Sequence, residues 1–290
     1  MFRSKRMNLT DEVRRGMPGS FVRLSAGVTH YELRGGSGAE TVVLIHGNAA
    51  PYVTWDNTIG ALSDAGFRVL RYDLFGHGLS DRPRLSRYDR RLYNEQLAEL
   101  LDRVGIPLPV MVVGTSQGGS IAACFGATHP GAISRLALLA PFFDRVPGQE
   151  GGGYRLIVTP VVGDLLFGLL GDRKLADVSD SIVSADTRAA LQPTVLEQYR
   201  YRGKKRAVLA NLRGDALQDA TSCYRSLGEQ QIPMLLTYGT ADRKIPRESM
   251  VRLRELLPGI EYHEIEGAGH LAHYEFAGRI NPILTGFLKG

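Results

Sequence analysis

The chain has 290 residues, of which 43% are hydrophobic and 22% are charged. This length and balance suit one large domain, or one domain with an insertion, and they exclude wholesale disorder, collagen and integral membrane proteins. Most of the formal net charge of +5 comes from residues 1–23, so the folded body lacks the basic face of a nucleic-acid-binding protein and no nucleic-acid partner is expected.

Three negative signals bear on the location of the protein. Cys124 and Cys223 stand about 100 positions apart, which matches neither a disulfide framework nor a metal-ligand spacing. The N-terminus has no apolar region of the secretory type, and the longest apolar stretch, residues 156–170, is interrupted and too short to span a bilayer. We therefore expect a cytoplasmic protein with no integral membrane association and no bound metal.

From Thr41 onward, short apolar β-branched runs alternate with longer helical patterns. This alternation predicts an α/β fold, and continuous apolar runs suit parallel strands buried on both faces. The predicted strands are an edge hairpin, 21–24 with 30–33, followed by 41–45, 68–72, 110–113, 136–139, 234–238 and 261–265. The predicted helices are 54–65, 89–104, 117–128, 247–257 and 273–288.

The long interval between strands 136–139 and 234–238 interrupts this rhythm. It holds about 95 residues, where a βα unit needs only about thirty in all. We predict that residues 144–231 form a helical cap, that 21–143 and 232–290 form the core, and that 1–20 are a solvated basic tail. The basic run 200–206 could bind an anionic ligand, but a solvated helix face is the preferred interpretation.

The strand that ends at Val113 leads directly into Gly114-Thr-Ser-Gln-Gly118 and a helix of small residues. A G-x-S-x-G motif in this context predicts a nucleophile elbow, which exposes the Ser116 hydroxyl at the edge of the sheet. The helix that follows presents backbone N–H groups to a nearby oxyanion. Ser116 is therefore the candidate nucleophile.

A serine nucleophile needs a base, and the base needs an orienting acid. Asp242 follows the strand 234–238, and His270 follows the last strand on a glycine-rich loop. Both positions lie beyond the carboxyl ends of strands, where doubly wound sheets gather their sites. The sequence thus predicts a catalytic triad of Ser116, Asp242 and His270.

An oxyanion needs two hydrogen-bond donors. The backbone N–H of Gln117, at the start of the helix, is the first candidate. The second is Asn48, which follows the strand 41–45 within His46-Gly-Asn48. We interpret His46 as a structural turn residue, because the triad already has its histidine.

Four blocks together resemble the α/β-hydrolase superfamily: residues 46–48, 72–80, 114–119, and 239–246 with 267–270. The resemblance implies an eight-stranded, mostly parallel sheet with strand 2 antiparallel, helices on both faces, and a cap inserted after strand six. It implies the same triad and a purely architectural role for His77. Some members of the superfamily carry the triad acid after strand six, where this chain has Asp144, so that alternative stays open.

A serine nucleophile is typical of acyl chemistry that needs no cofactor or metal. The preferred hypothesis is hydrolysis of a carboxylic ester of a hydrophobic small molecule, since the cap is rich in apolar residues. The chain also resembles meta-cleavage-type C–C hydrolases, although Thr115 and Gln117 depart from their usual Asn-Ser-Met. Lactone, amide or thioester hydrolysis and a non-catalytic ligand-binding role remain alternatives. The sequence does not predict the oligomeric state.

Overall fold

The computed structural model describes residues 6–144 and 151–290, and its centre is one eight-stranded sheet. The spatial order of the strands is β1-β2-β4-β3-β5-β6-β7-β8. The strands are β1 (Ser20–Leu24), β2 (Gly27–Arg34), β3 (Thr41–Ile45), β4 (Arg68–Tyr72), β5 (Val110–Thr115), β6 (Ile133–Leu139), β7 (Met234–Gly239) and β8 (Glu261–Ile265).

Strand direction follows the predicted pattern. β2 runs antiparallel to both β1 and β4, and every other neighbouring pair is parallel. β3 is wholly buried, with Val43 opposite Leu70 of β4. Because the remaining strands are parallel, their carboxyl ends meet at one edge of the sheet. The predicted eight-stranded, mostly parallel sheet with an antiparallel strand 2 is confirmed.

Helices cover both faces of the sheet, so two core layers form. The core helices are α2 (Asp56–Asp64), α3 (Arg90–Arg103), α4 (Gln117–Thr128), α10 (Thr221–Gly228), α11 (Arg247–Leu256), α12 (Ala272–Glu275) and α13 (Ala277–Lys289), with a short 3-10 helix at Tyr52–Trp55. Val43 and Ile45 point into the layer beneath α3, α4, α10 and α11, whereas Val42 and Leu44 point into the layer beneath α2 and α13.

The chain between β6 and β7 is mostly helical where the structure describes it. Besides α10, which packs against α4 in the core, its elements are α5 (Gly152–Val158), α6 (Val162–Leu169), α7 (Asp172–Leu175), α8 (Ala185–Glu197), a 3-10 helix Gln198–Arg200, and α9 (Lys204–Arg213). Residues of α8 pack with Ala50, after β3, and Leu271, after β8, in a third buried cluster. This segment therefore lies over loops at the carboxyl edge of the sheet. The limits 144–231 stay a prediction, and positions 145–150 lie outside the described residues.

The described N-terminal residues do not form the solvated tail that the sequence suggested. α1 (Asp11–Arg15) is a short helix whose first turn is capped by the Thr10 side chain. Arg14 is only 5% exposed, and its guanidinium forms a 2.5 Å ion pair with Asp81. This pairing holds the helix against the turn after β4. Residues 1–5 of the predicted tail lie outside the described residues.

The expectation that the two cysteines do not pair is wrong. Cys124 of α4 and Cys223 of α10 form a disulfide, with their Cα atoms 4.8 Å apart. The two helices pack side by side, and the Tyr224 hydroxyl of α10 also donates to the Phe142 carbonyl oxygen at 2.9 Å. A long separation in sequence therefore said nothing about their separation in space.

Among the described helices, no single one is long and apolar enough to cross a bilayer. α5 and α6 are apolar enough only when taken together, and they are bent by 101° relative to each other.

Candidate active site

Ser116 stands on a tight turn between a strand and a helix. β5 ends at Thr115, α4 begins at Gln117, and Ser116 between them has φ 53° and ψ −123°. A positive φ is uncommon for residues other than glycine and is typical of strained functional turns. The Ser116 amide donates to the Leu139 carbonyl oxygen at 3.1 Å, which ties the turn to β6. The turn has the shape expected of a nucleophile elbow.

Two glycines allow the backbone to close around this turn. A Cβ at Gly118 would lie 2.2 Å from the Ile45 carbonyl oxygen, so any larger residue would push α4 away from β3. A Cβ at Gly47 would lie 2.9 Å from the Cβ of Ser116. The loop after β3, which carries Asn48, therefore lies directly against the serine.

His270 and Asp242 form a buried pair. His270 Nδ1 donates to Asp242 Oδ2 at 2.8 Å, and their side chains are 4% and 0% exposed. The other carboxylate oxygen accepts from the backbone N–H groups of Lys244, at 2.7 Å, and Ile245, at 3.0 Å. With Nδ1 protonated, a neutral His270 ring carries its lone pair on Nε2, as a general base requires.

The structure brings the predicted residues to one edge of the sheet without closing the whole triad. Ser116 follows β5, Asp242 follows β7 and His270 follows β8. Within the described part of the chain, no hydrogen bond joins the side chains of Ser116 and His270. Contacts between nucleophile and base are often looser in unliganded structures than in the substrate complex. The roles of the three residues therefore remain predictions.

Asn211, which sequence reasoning missed, connects the two predicted oxyanion residues. Its Nδ2 donates to Asn48 Oδ1 at 3.1 Å and to Gln117 Oε1 at 3.0 Å. Its Oδ1 accepts from Gln117 Nε2 at 2.9 Å and from the Tyr93 hydroxyl at 3.0 Å. Since Asn211 belongs to α9, the helical segment between β6 and β7 is joined by hydrogen bonds to both the elbow and the loop after β3.

The basic run 200–206 is not wholly a solvated helix face. Lys204 is only 3% exposed, and its ammonium donates to the Gly76 carbonyl oxygen at 3.1 Å. Burial and the nearby Arg82 guanidinium hold the pKa of Lys204 well below its usual range. Among the described residues, no carboxylate forms an ion pair with it. Burial and the charge of Lys204 also hold the pKa of His77 well below its usual range. His77 contacts the Asn48 carbonyl oxygen at 3.2 Å.

The remaining candidates have structural contacts. His46 Nδ1 donates to the Gly47 carbonyl oxygen at 2.7 Å, and its Nε2 accepts from the Leu74 amide at 2.9 Å, so both ring nitrogens are engaged with backbone. Asp144 accepts from the Ser249 hydroxyl at 2.7 Å and pairs with Arg252. It is Asp242 that contacts His270, so the geometry does not favour Asp144 as the triad acid.

Within the two described ranges, no group of three His, Cys, Asp or Glu side chains is arranged to hold a metal ion.

Comparison with known proteins places this chain in a family. Residues 42–282 match the model of the alpha/beta hydrolase family. The chain is 30% identical, over 87% of its length and 88% of the relative's, to a 2-hydroxy-6-oxononadienedioate/2-hydroxy-6-oxononatrienedioate hydrolase of Paraburkholderia phymatum. The protein therefore belongs to the α/β-hydrolase family.

Solved structures agree with this fold. The enol-lactonase of Burkholderia xenovorans superimposes with a TM-score of 0.77 at 24% identity, covering 93% of this chain and all of that one. A meta-cleavage product hydrolase of Pseudomonas fluorescens gives a TM-score of 0.74 at 21% identity, covering 93% and 97% of the two chains. At these identities the likeness concerns the fold alone.

Proposed function

We propose that this protein is a serine hydrolase that cleaves a bond at a carbonyl carbon of a small molecule. The observation that carries the proposal is the buried 2.8 Å hydrogen bond from His270 to Asp242, at the same sheet edge as a serine with φ 53°. Ser116 Oγ attacks the carbonyl carbon and His270 Nε2 takes its proton. The bond to the leaving group breaks, the leaving group takes that proton, and water activated by His270 then releases the acyl group.

The backbone N–H groups of Gln117 and Asn48 are proposed to stabilise the oxyanion. Gln117 is the first residue of α4, and the first-turn N–H groups of a helix have no partner within the helix. The loop that carries Asn48 lies against Ser116. Removing one such donor typically lowers kcat by about 10²–10³.

For the bond, we propose the C–C bond beside a ketone in a substrate that carries a carboxylate. Relatives that match this chain over most of its length are named 2-hydroxy-6-oxononadienedioate hydrolases, and a dioate carries two carboxylates. Lys204 supports the proposal, because it is a buried cation that pairs with no described carboxylate. A substrate carboxylate beside its ammonium would supply a direct ion-pair partner.

The second candidate is hydrolysis of a carboxylic ester, which is the reaction that the sequence alone favoured. Thr115 and Gln117 beside Ser116 favour this candidate, because they differ from the residues expected in C–C hydrolases. The names of the full-length relatives give the C–C bond the better support.

The two candidates are separated by a direct comparison of substrates. We expect kcat/KM for a 2-hydroxy-6-oxodienoate, followed by the loss of its absorbance, to exceed kcat/KM for every p-nitrophenyl ester in a series of increasing acyl length. Both activities should be lost in Ser116→Ala. A higher kcat/KM for the esters would make ester hydrolysis the function.

The role of Lys204 has a matched control in its neighbour. Lys204→Met should raise KM for the carboxylate-bearing substrate by about tenfold or more, since one charged hydrogen bond is lost. It should leave KM for an uncharged ester nearly unchanged. Lys205→Met, which removes a partly exposed lysine paired with Asp172, should change neither value. Equal effects of Lys204→Met on both substrates would assign it a structural role.

A cytoplasmic location stays a prediction, and so does independence of cofactors. The Cys124–Cys223 disulfide counts against the cytoplasm, since disulfides persist mainly in oxidising compartments. Titration of free thiols in protein prepared without reductant tests this point: no free thiol supports an oxidising location, and two support the cytoplasm.

A further inference from the structure

Exposed apolar side chains are concentrated in one short segment. Ten large hydrophobic side chains are exposed in the described chain, and six of them lie between residues 156 and 169. Leu169 is 84% exposed and Leu165 is 68% exposed. The six residues, which we call the α5–α6 surface, are Leu156, Val161, Val162, Leu165, Leu166 and Leu169.

The orientation of α6 produces most of this surface. Four of its apolar residues recur at i, i+3, i+4 and i+7, which places them on one face of the helix. A stripe of this kind normally faces the protein core. Here it faces solvent, while Gly163 and Phe167 are the residues that α6 buries. The apolar face of α6 therefore has no partner within the described chain.

The charges around the α5–α6 surface are predominantly positive. The two acidic residues between positions 151 and 175 are engaged: Asp164 pairs with Arg213, and Asp172 pairs with Arg6. Arg173 and Lys174, immediately after them, are exposed and pair with no described carboxylate. The flank of the apolar surface thus carries cations that are free to meet an external anion.

Further basic side chains lie near α6, on α9 and on the loop between β4 and α3. Leu85, which is 44% exposed, lines one surface cavity together with Arg84, Arg206 and Asp164. Apolar and basic side chains of this loop and of α9 therefore lie beside Asp164 of α6.

We propose that the α5–α6 surface docks onto a membrane whose lipids carry anionic headgroups. Amphipathic helices of this composition lie in the membrane interface, with leucines at the acyl boundary and Lys and Arg beside the headgroups. A second copy of the chain fits less well, because it would present the same cationic flank and would bring no anionic partner for Arg173 and Lys174. The proposal concerns where the enzyme acts and is independent of the bond that it cleaves.

Vesicle co-sedimentation tests the proposal on the full chain. The protein should bind vesicles of phosphatidylcholine with phosphatidylglycerol about tenfold or more tightly than vesicles of phosphatidylcholine alone, and added salt should weaken the binding. Leu165→Ser/Leu169→Ser should reduce binding by about tenfold or more. The matched control, Leu108→Ser/Val251→Ser, removes two exposed apolar residues elsewhere and should bind like the wild type.

The charged flank has its own variant. Arg173→Ser/Lys174→Ser should reduce binding to the anionic vesicles by about tenfold and leave the weak binding to neutral vesicles unchanged. Ser116→Ala should bind like the wild type, so failure of docking and failure of the proposed reaction can be told apart.

Three results would overturn the proposal. The first is no binding of wild-type protein to anionic vesicles. The second is an equal loss of binding in the leucine variant and its control. The third is a dimer, detected by light scattering, that Leu165→Ser/Leu169→Ser dissociates in the absence of any vesicle binding, because the occupant would then be a second copy.

Discussion

At the scale of single residues, the structure separates the two candidates for the triad acid, Asp242 and Asp144. Asp242 contacts His270, whereas Asp144 pairs with Arg252. Asp242→Asn should lower kcat by about 10³-fold or more, because the imidazole loses both its orientation and the charge that stabilises its protonated form. Asp144→Asn should keep kcat within about tenfold of the wild type. Similar losses in the two variants, both folded by circular dichroism, would contradict the assignment.

Asn211 is predicted to act as a positioning residue. It holds the side chains of Gln117 and Asn48 in one network, so Asn211→Ala should loosen both oxyanion donors. We expect kcat to fall by about 10- to 100-fold while KM changes little, since the oxyanion forms only after substrate binding. Asn94→Ala removes another buried asparagine, on α3, and serves as the control. A change confined to KM would contradict this role.

The site residues differ in how far a sequence can reveal them. Ser116, Asp242 and His270 follow strand ends in recognisable local motifs, so topology alone predicts that they gather at one edge. Asn211 and Lys204 carry no such motif. Their burial depends on how α9 packs over the core, and their only local signal is a spacing of seven residues, which places them on one helix face.

At the scale of elements, the turn after β4 depends on Asp73. This buried carboxylate accepts from His30 Nδ1 at 2.7 Å and from the amides of Tyr52 and Leu79, each at 2.9 Å. Burial alone would raise its pKa, but the hydrogen bond and charge of His30 outweigh burial and lower the pKa of Asp73 to about 2.

Asp73→Asn should therefore reduce the free energy of unfolding by about 3 kcal/mol, because neighbouring donors lose a charged acceptor. Urea denaturation at neutral pH measures the loss. Asp102→Asn, at an exposed position on α3, should change the free energy by less than about 0.5 kcal/mol. A loss of that small size in Asp73→Asn would show that the turn does not need the charge.

Some strands were predictable to the residue and others were not. β3 and β4 have the predicted bounds, because a buried parallel strand is a short, mostly apolar run between turns, and the more polar strand β8 also has them. β5 and β6 are longer than the predicted 110–113 and 136–139. The predicted helix 273–288 instead divides at Phe276, which has φ −114° and ψ 37°. Its aromatic side chain packs against the core layer beneath α2 and α13, so tertiary packing decided a break that no glycine or proline marks.

At the scale of the whole molecule, buried neutral histidines should make the fold sensitive to acid. Burial lowers the pKa of His46 to about 4 and that of His273 to about 3, from 6.5. Below pH 6.5 the unfolded chain binds protons that the folded protein excludes, so the free energy of unfolding decreases as the pH is lowered. The expected loss is about 1.4 kcal/mol per pH unit for each histidine, until the pH reaches the folded pKa.

Urea denaturation at pH 7.5, 6 and 5 measures this dependence. His273→Gln keeps a partner for the Thr54 hydroxyl. It should reduce the slope of the unfolding free energy against pH by the contribution of about one proton. Asn94→Ala removes no titratable group and should leave the slope unchanged. A wild-type slope in His273→Gln would show that this histidine does not contribute to the pH dependence of stability.

In the proposed mechanism, Ser116 is a nucleophile activated by His270. The most direct measurement is mass spectrometry of the protein after reaction with a fluorophosphonate, which bonds covalently to activated serines. We predict one adduct, on Ser116, that forms in the wild type, is absent in Ser116→Ala, and forms at least about 10²-fold more slowly in His270→Ala. An adduct on another residue, or equal rates in the wild type and His270→Ala, would contradict these roles of Ser116 and His270.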